Sequence, residues 1–248
     1  MRWRLILTGH NDAFFNMAVD EAIMELYPIL KMPTIRLYGW QPAAVSIGCF
    51  QSLDDEVDIK ECDDSGIDYI RRITGGGAVF HDKELTYSIV VGKDMVGEDI
   101  LDSYKMICGA VVKGLKSLSI PAEFAPINDI LVDGKKISGN AQTRRGGVVL
   151  QHGTIILDTD VDKMFTLLKV PDEKLKGKMI QSVKKRVTSV LYHMGHADFE
   201  EVASAMRKGF EREFRMELEH SNLDPQEVEL AKRLIASRYS DHKWTHRR

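Results

Sequence analysis

The sequence predicts one α/β domain, built on a mixed sheet with a helical C-terminal portion folded back on it. Three observations carry this. Short apolar runs rich in β-branched residues alternate with turn residues through the first half. A helical period of three and four takes over at residues 100–118 and again from 198. Nothing rich in proline, glycine or serine separates these parts and no repeat interrupts them, so residues 1–248 are expected to form one domain with 198–248 as its helical end. A chain of 248 residues, 44% hydrophobic and 29% charged, can bury a sizeable core.

Taken in order, strands are expected at Trp3–Leu7, Thr34–Tyr38, Ala44–Ile47, Asp68–Arg72, Leu85–Val91, Asp129–Val132 and Val148–Leu157. Asn16 to Tyr27 reads as a helix: Val19, Ile23 and Leu26 share a face, and Asp20 and Glu21 are expected near its start, where the dipole favours anions. Leu101, Tyr104, Cys108, Val111, Leu115 and Leu118 form the apolar stripe of a second helix, which makes Cys108 a core residue. Phe199, Val202, Met206, Phe210 and Phe214 form the stripe of a third, and Val228, Ala231, Ile235 and Tyr239 that of a fourth. Asp198 and Asp224-Pro225 are their start signals, an acidic cap and a proline at the first helical position. The closing Lys243-Trp244-Thr245-His246-Arg247-Arg248 is expected to be a loose tail apart from Trp244.

A formal charge of −3 gives no global basic field, which argues against broad nucleic-acid or membrane-surface binding. The three cysteines, Cys49, Cys62 and Cys108, form neither a CxxC pair nor a Cys/His metal spacing, and an odd number is poor material for a disulfide framework. The N-terminal apolar run breaks at Thr8-Gly9-His10-Asn11-Asp12, too short for a signal peptide or a membrane span. Cytoplasmic residence is the expectation.

Three segments carry chemistry. In Ile70-Arg71-Arg72-Ile73-Thr74-Gly75-Gly76-Gly77-Ala78-Val79-Phe80-His81-Asp82, consecutive glycines let a ligand approach backbone amides, and two arginines offer planar forks for phosphate or carboxylate. A glycine-rich hairpin with surface arginines would read the same from the triplet alone. Asn128 to Gln142 reads as strand, turn at Asp133-Gly134, strand. Alternation then places Lys136, Ser138 and Asn140 on one face, with Lys135 and Ile137 opposite; a solvated edge hairpin blunted by lysines is the plainer account. Leu150-Gln151-His152-Gly153-Thr154 is a strand whose lone histidine is more often a satisfied core group than a catalyst.

Together, Phe15-Asn16-Met17-Ala18-Val19-Asp20-Glu21-Ala22, the Arg71–Asp82 loop, Asn128-Asp129, Lys135-Lys136-Ile137-Ser138-Gly139-Asn140-Ala141 and Leu150-Gln151-His152-Gly153 resemble the lipoate–protein ligase A family. The resemblance runs in order from about Trp3 to Trp244 and takes in Lys169-Val170-Pro171-Asp172-Glu173-Lys174, by physics alone only a helix exit. It implies a biotinyl/lipoyl-protein-ligase-like fold, related to class II aminoacyl-tRNA synthetases. The activity it implies is ATP- and Mg²⁺-dependent activation of lipoate or octanoate to acyl-AMP, then transfer to a lysine of a lipoyl-carrier domain such as a 2-oxoacid dehydrogenase E2 or a glycine cleavage H protein. Arg72, Gly77, Ala78, Val79 and Phe80 would hold the nucleotide. Lys136 would reach the acyl carbonyl and the α-phosphate, stabilising charge as it develops. Asp129 would bind Mg²⁺ with Asn128 orienting it. Gly75, Gly76, Gly77, His81, Gly139, Ala141 and His152 would border the acyl group, whose apolar tail is expected against side chains such as Val45, Ile47, Val79 and Ile155.

Octanoyltransferases share the fold but pass the acyl group through a reactive cysteine. Here Ala125-Pro126-Ile127-Asn128-Asp129 occupies the loop where one transferase class carries it, and Cys49 is better read as a packing residue. The stretch from Gly139 to Arg145 and the Val149–Gly153 strand resemble the transferases as well. Biotin ligases carry interspersed arginines in the glycine loop and a Trp-Pro before the Asn-Asp pair, which this chain lacks. An ATP-dependent ligase is therefore the expectation, with the transferase as alternative and a non-catalytic acyl- or nucleotide-binding relative as the third reading. Because long-form ligases carry a further C-terminal domain that this chain does not include, a small accessory subunit is expected beside it.

Overall fold

The structure, a computed structural model, describes residues 2–170 and 175–247; positions 171–174 of the Lys169–Lys174 segment lie outside the described residues. In chain order the elements are β1 (Trp3–Asn11), α1 (Ala13–Leu30), β2 (Thr34–Trp40), β3 (Ala44–Ile47), α2 (Leu53–Glu56), α3 (Ile59–Asp64), β4 (Asp68–Arg71), β5 (Val79–His81) and β6 (Glu84–Gly92). Then come α4 (Ile100–Ser117), β7 (Glu123–Ala125), β8 (Asp129–Val132), β9 (Lys135–Arg145), β10 (Val148–Ile156), α5 (Val161–Leu167), α6 (Lys176–Arg186), α7 (Val190–Met194), α8 (Phe199–Phe214), β11 (Leu218–His220), α9 (Pro225–Leu234) and α10 (His242–Thr245). The main sheet runs β11-β1-β2-β6-β10-β9-β8-β7, and β4-β3-β5 forms a small second sheet. β1 is parallel to β11 and β2, while β2, β6, β10 and β9 pair antiparallel, so the sheet is mixed as expected.

All seven predicted strands are present; the pattern passed over the three-residue strands β5, β7 and β11, too short to show a period. The main sheet is covered on both faces. On one, α4 and α8 bury Ile107, Val111, Met206 and Phe210 against Leu37, Tyr87 and Val149. On the other, α1 and α9 cover Ile6, Tyr38, Val90 and Leu150. Each fully buried side chain of this size contributes about 1.5–3 kcal/mol. Cys108 lies fully buried in the first cluster, but Leu101 at the head of its predicted stripe is 52% exposed, because the sheet contact begins a turn later at Tyr104. Asp198 and Asp224 cap α8 and α9 as expected, the latter with a full capping box.

Two expectations need correction. α1 begins at the Asp12 cap, so Asp20 and Glu21 sit in the middle of the helix and both are buried, held by side chains and not by the dipole. Asp20 binds Arg36 at 2.8 Å and Tyr38 at 2.9 Å, and Glu21 binds Tyr239 at 2.7 Å and Arg238. The tail is also ordered: α10 brings Trp244 Nε1 to the Arg71 carbonyl at 2.9 Å, while the Arg71 guanidinium donates to the carbonyls of Trp244, Thr245 and Arg247. Among the described residues, no helix is long and apolar enough to cross a membrane.

Candidate active site

A cavity of about 300 Å³ opens between the main sheet and the small sheet, on the α1 side. Of the residues singled out from sequence, Arg72, Gly76, Gly77, Ala78, Val79, Phe80, His81, Asn128, Lys136, Gly139, Ala141 and His152 border it; Gly75 and Asp129 do not. Strands far apart in sequence are brought together here by the sheet order, with β9 and β10 forming one wall and the glycine loop and β5 the other.

Lys136 reaches the cavity through a bulge that simple alternation did not foresee. In the β8–β9 register, Leu131 pairs with Lys136 but Ile130 with Ser138, leaving Ile137 as the extra residue. Ile137 and Ser138 are buried, and Asn140 accepts from the buried Tyr87 hydroxyl at 2.6 Å. Lys136 therefore turns to the face of Asp129 and Gly139 and not to that of Ser138 and Asn140. Its ammonium binds Asp129 Oδ1 at 2.7 Å, and a Cβ on Gly139 would lie 2.7 Å from its Cε. Asn128 and Asn140 fix this edge by exchanging side-chain amide bonds to each other's carbonyls at 2.6 and 2.9 Å.

The glycine loop is held from within. Arg72, 5% exposed, donates through Nη1 to the Ser46 carbonyl and hydroxyl and through Nη2 to the carbonyls of Gly75 and Gly77, at 2.7–3.1 Å. Burial brings its pKa down to about 10. Gly76 has φ +96, a left-handed conformation that favours glycine. Its carbonyl lies against Gly48, where an added Cβ would fall on that oxygen, well inside van der Waals contact. Gly48→Ala is expected to push the loop off β3 and to cost about 1–3 kcal/mol, as overpacking does; a thermal scan together with loss of acyl-ligand binding checks this.

Both histidines are clamped. His81 meets Ser46 Oγ through Nε2 at 2.7 Å and Glu84 Oε1 through Nδ1 at 2.6 Å, and it stacks on Trp40 at 3.9 Å. His152 meets Thr74 Oγ1 through Nε2 at 2.7 Å and Asp20 Oδ2 through Nδ1 at 3.4 Å. The register places Arg36, Ser88, His152 and Ala141 in one row across four strands, and Asp20 sits over it, bonded to the first three. Burial pushes His152 below its ordinary 6.5, only partly offset by Asp20, so the neutral ring with Nδ1–H toward Asp20 is the form that fits. Burial alone would raise Asp20, but His152, Arg36 and Ser88 outweigh it and hold the carboxyl below 3.8.

The sign follows directly. An unfolded chain takes up a proton on His152 that the folded chain resists, so stability is full above pH 6.5 and declines as pH falls below it. The Asp20 contribution persists to about 3.8 and is lost below that. Denaturant midpoints measured against pH should show the first decline in the native protein and lose it in His152→Gln.

Of the four residues expected against an acyl tail, only Val79 borders the cavity; Val45 and Ile47 face the cluster behind the small sheet, and Ile155 faces α4 and α8. Its neighbour Ile156 borders the cavity instead, together with Met17, Trp40, Val161, Met164, Val183 and Val187. Ser46, Thr74 and Glu84 also escaped the sequence reading. The one legible signal was Arg36, a charge inside an otherwise apolar strand, which demands a buried anion opposite.

Comparison with known proteins supplies the lineage. Residues 12–211 match the lipoyl protein ligase A/B catalytic domain family. The chain is 36% identical to the octanoyltransferase LipM of Brevibacillus brevis, over 100% of this chain and 99% of that protein. It is likewise 36% identical to that of Clostridioides difficile, again over 100% and 99%. Among solved structures it superposes with a TM-score of 0.91 and 32% identity on a structure described as an archaeal bi-partite lipoate protein ligase and its E2 lipoyl domain from Thermoplasma acidophilum, covering 99% of this chain and 96% of that one.

The relatives named octanoyltransferase, matched from end to end, overturn the expectation of an ATP-dependent, AMP-forming ligase and with it the ATP, acyl-adenylate and Mg²⁺ assignments. In the structure Arg72 directs its Nη donors to Ser46 and to the carbonyls of Gly75 and Gly77, and Asp129 is engaged by Lys136. The biotinyl/lipoyl-ligase-like fold itself stands, and the chain belongs to the lipoyl protein ligase A/B catalytic domain family.

Proposed function

We propose that this protein is an octanoyltransferase that moves an octanoyl group from a thioester donor on a carrier protein to a lysine amine of a lipoyl domain, without ATP. The observation that carries this is the end-to-end match to octanoyltransferases. The cavity agrees with it: apolar side chains line part of it and can take the tail, and of the two ammoniums that border it Lys83 is paired with Asp158 and Lys136 with Asp129. Lys136 polarises the thioester carbonyl and stabilises the oxyanion. The acceptor amine attacks, the C–N bond forms, the C–S bond breaks, and the amine proton ends on the departing thiolate. Val79, Phe80 and the glycines of the loop exclude water from the carbonyl while the buried His81 and His152 hold the walls.

No cysteine borders the cavity. Burial pushes the Cys62 and Cys108 thiols up to about 12, so neither supplies a thiolate. Transfer in this reading is direct, from thioester to amine, and an accessory subunit has no part in it; a cytoplasmic setting goes with it. Incubation of the protein with an octanoyl carrier protein and an unmodified lipoyl domain, with no nucleotide present, should add one octanoyl group to the lipoyl domain by intact mass. Modification that appears only with the free acid and ATP, with release of pyrophosphate, would overturn the proposal. Cys49→Ala is expected to keep the transfer rate within about twofold, since the half-buried Cys49 side chain does not border the cavity and its backbone contacts survive the substitution.

A further inference from the structure

Four carboxylates are buried among the described residues: Asp20, Glu21, Glu84 and Glu227. Three of them face an arginine, Asp20 with Arg36, Glu21 with Arg238 and Glu227 with Arg4. Glu84 faces none. Its one partner at salt-bridge distance among the described residues is His81, through Nδ1 at 2.6 Å, and the surrounding bonds leave that ring uncharged. Arg72 donates to Ser46 Oγ at 3.0 Å, so the hydroxyl hydrogen goes to His81 Nε2 at 2.7 Å and the ring's own hydrogen sits on Nδ1, toward Glu84. A charge taken out of water calls for a counter-charge, and here the described residues supply none.

The hydrogen bonds on Glu84 are as one-sided as its charge. His81 Nδ1 donates to Oε1, and so does Thr86 Oγ1 at 2.8 Å, itself an acceptor from Trp40 Nε1. Two chains of donors thus end on one carboxylate oxygen. The other, Oε2, has no bond to any described residue. Since no buried side-chain oxygen among the described residues lacks a partner, Oε2 opens into the cavity that Glu84 borders. The other carboxylates on the cavity are differently placed: Asp158 is taken by Lys83, Asp160 caps α5, and Asp82 is only half-buried.

We propose that Glu84 receives the ammonium of the acceptor lysine and is the base that takes its proton; this rests on the transferase reading above. Among the reacting groups only the acceptor lysine brings a positive charge, since the octanoyl tail and its thioester carry none. The spacing suits the assignment. Glu84 on β6 pairs with Ile156 on β10, and β9 with Lys136 lies next, so two strand spacings, about 10 Å, separate the two chains. A carbonyl bonded to Lys136, with an amine at attack distance that is itself bonded to Oε2, fits a span of about that size. The lysine arrives as an ammonium, with no lone pair to attack. Glu84 Oε2 takes one proton, the freed amine adds to the thioester carbon, the C–N bond forms and the C–S bond breaks. The second amine proton leaves on the thiol, and the proton on Glu84 passes to solvent.

The test compares two nucleophiles with Glu84→Gln, whose Oε1 can still accept from His81 and Thr86 while an amide NH₂ replaces the open oxygen. With octanoyl carrier protein as donor and an unmodified lipoyl domain as acceptor, kcat is expected to fall about 10²-fold. Hydroxylamine is uncharged at neutral pH and needs no base. Formation of octanoyl hydroxamate above the uncatalysed rate should therefore stay within about twofold of the native protein, which also reports an intact site. Lys136→Ala, by contrast, should lose both reactions. Undiminished transfer to the lipoyl domain by Glu84→Gln, or equal losses with the two nucleophiles, would overturn the assignment of Glu84. Absence of transfer to either nucleophile by the native protein without ATP would remove the transferase reading, and the role of Glu84 with it.

Discussion

Lys136→Ala is expected to lower acyl transfer by about 10²–10³-fold, the usual cost of removing one group aimed at a developing oxyanion. The fold should not suffer. Lys136 is 41% exposed and Asp129, its one ionic partner among the described residues, is 35% exposed, so losing the pair leaves no buried charge behind. The penalty should fall on kcat, because the acyl tail is gripped by apolar walls that the substitution does not touch. Lys136→Arg should recover little: the bulge at Ile137 aims a slender ammonium past Gly139, and a planar guanidinium has no room there. Single-turnover transfer to a lipoyl domain, with circular dichroism of each variant, measures both halves of the expectation. Retention of full activity in Lys136→Ala would remove this residue from the chemistry.

Asp20→Ala should produce the largest loss of stability of any single change considered, about 3–5 kcal/mol, the cost of leaving one partner of a buried ion pair uncompensated. Arg36 is fully buried, and Asp20 is its only anion within salt-bridge distance among the described residues. The same carboxylate also receives Tyr38 and Ser88 and faces His152, so its removal strips hydrogen bonds from β2, β6 and β10 at once. Chemical denaturation of the variant gives the number directly. A double variant, Asp20→Ala with Arg36→Met, is expected to be more stable than the single one, because it removes the stranded guanidinium as well.

What could be read from sequence follows physical range. Strands and helices whose contacts repeat along the chain were legible: Val148–Leu157 and the stripe through Val202, Met206 and Phe210 lie where periodicity put them. The cavity was legible through the family resemblance, which put the glycine loop, Lys136 and His152 at the site where residue type alone left each with a plainer account. It was illegible where one residue of register decides, so Ile155 was chosen in place of Ile156 and Lys136 was set on the wrong face. Arg71 and Arg72 looked like a matched pair of anion forks, yet both are directed at backbone carbonyls, an arrangement that depends on segments far apart in sequence. The choice between ligase and transferase was settled by neither periodicity nor motif, since both chemistries use this fold.

The Arg71 clasp has a consequence for how the molecule is made. The guanidinium that pins the strand leading into the glycine loop takes three of its acceptors from Trp244, Thr245 and Arg247, some 170 positions later. A nascent chain emerging from the ribosome can therefore assemble the main sheet through β10 long before it can anchor that loop. A chain that stops short of Trp244 would keep the Arg72 contacts inside the loop and lose only this outer clasp on the strand that leads into it.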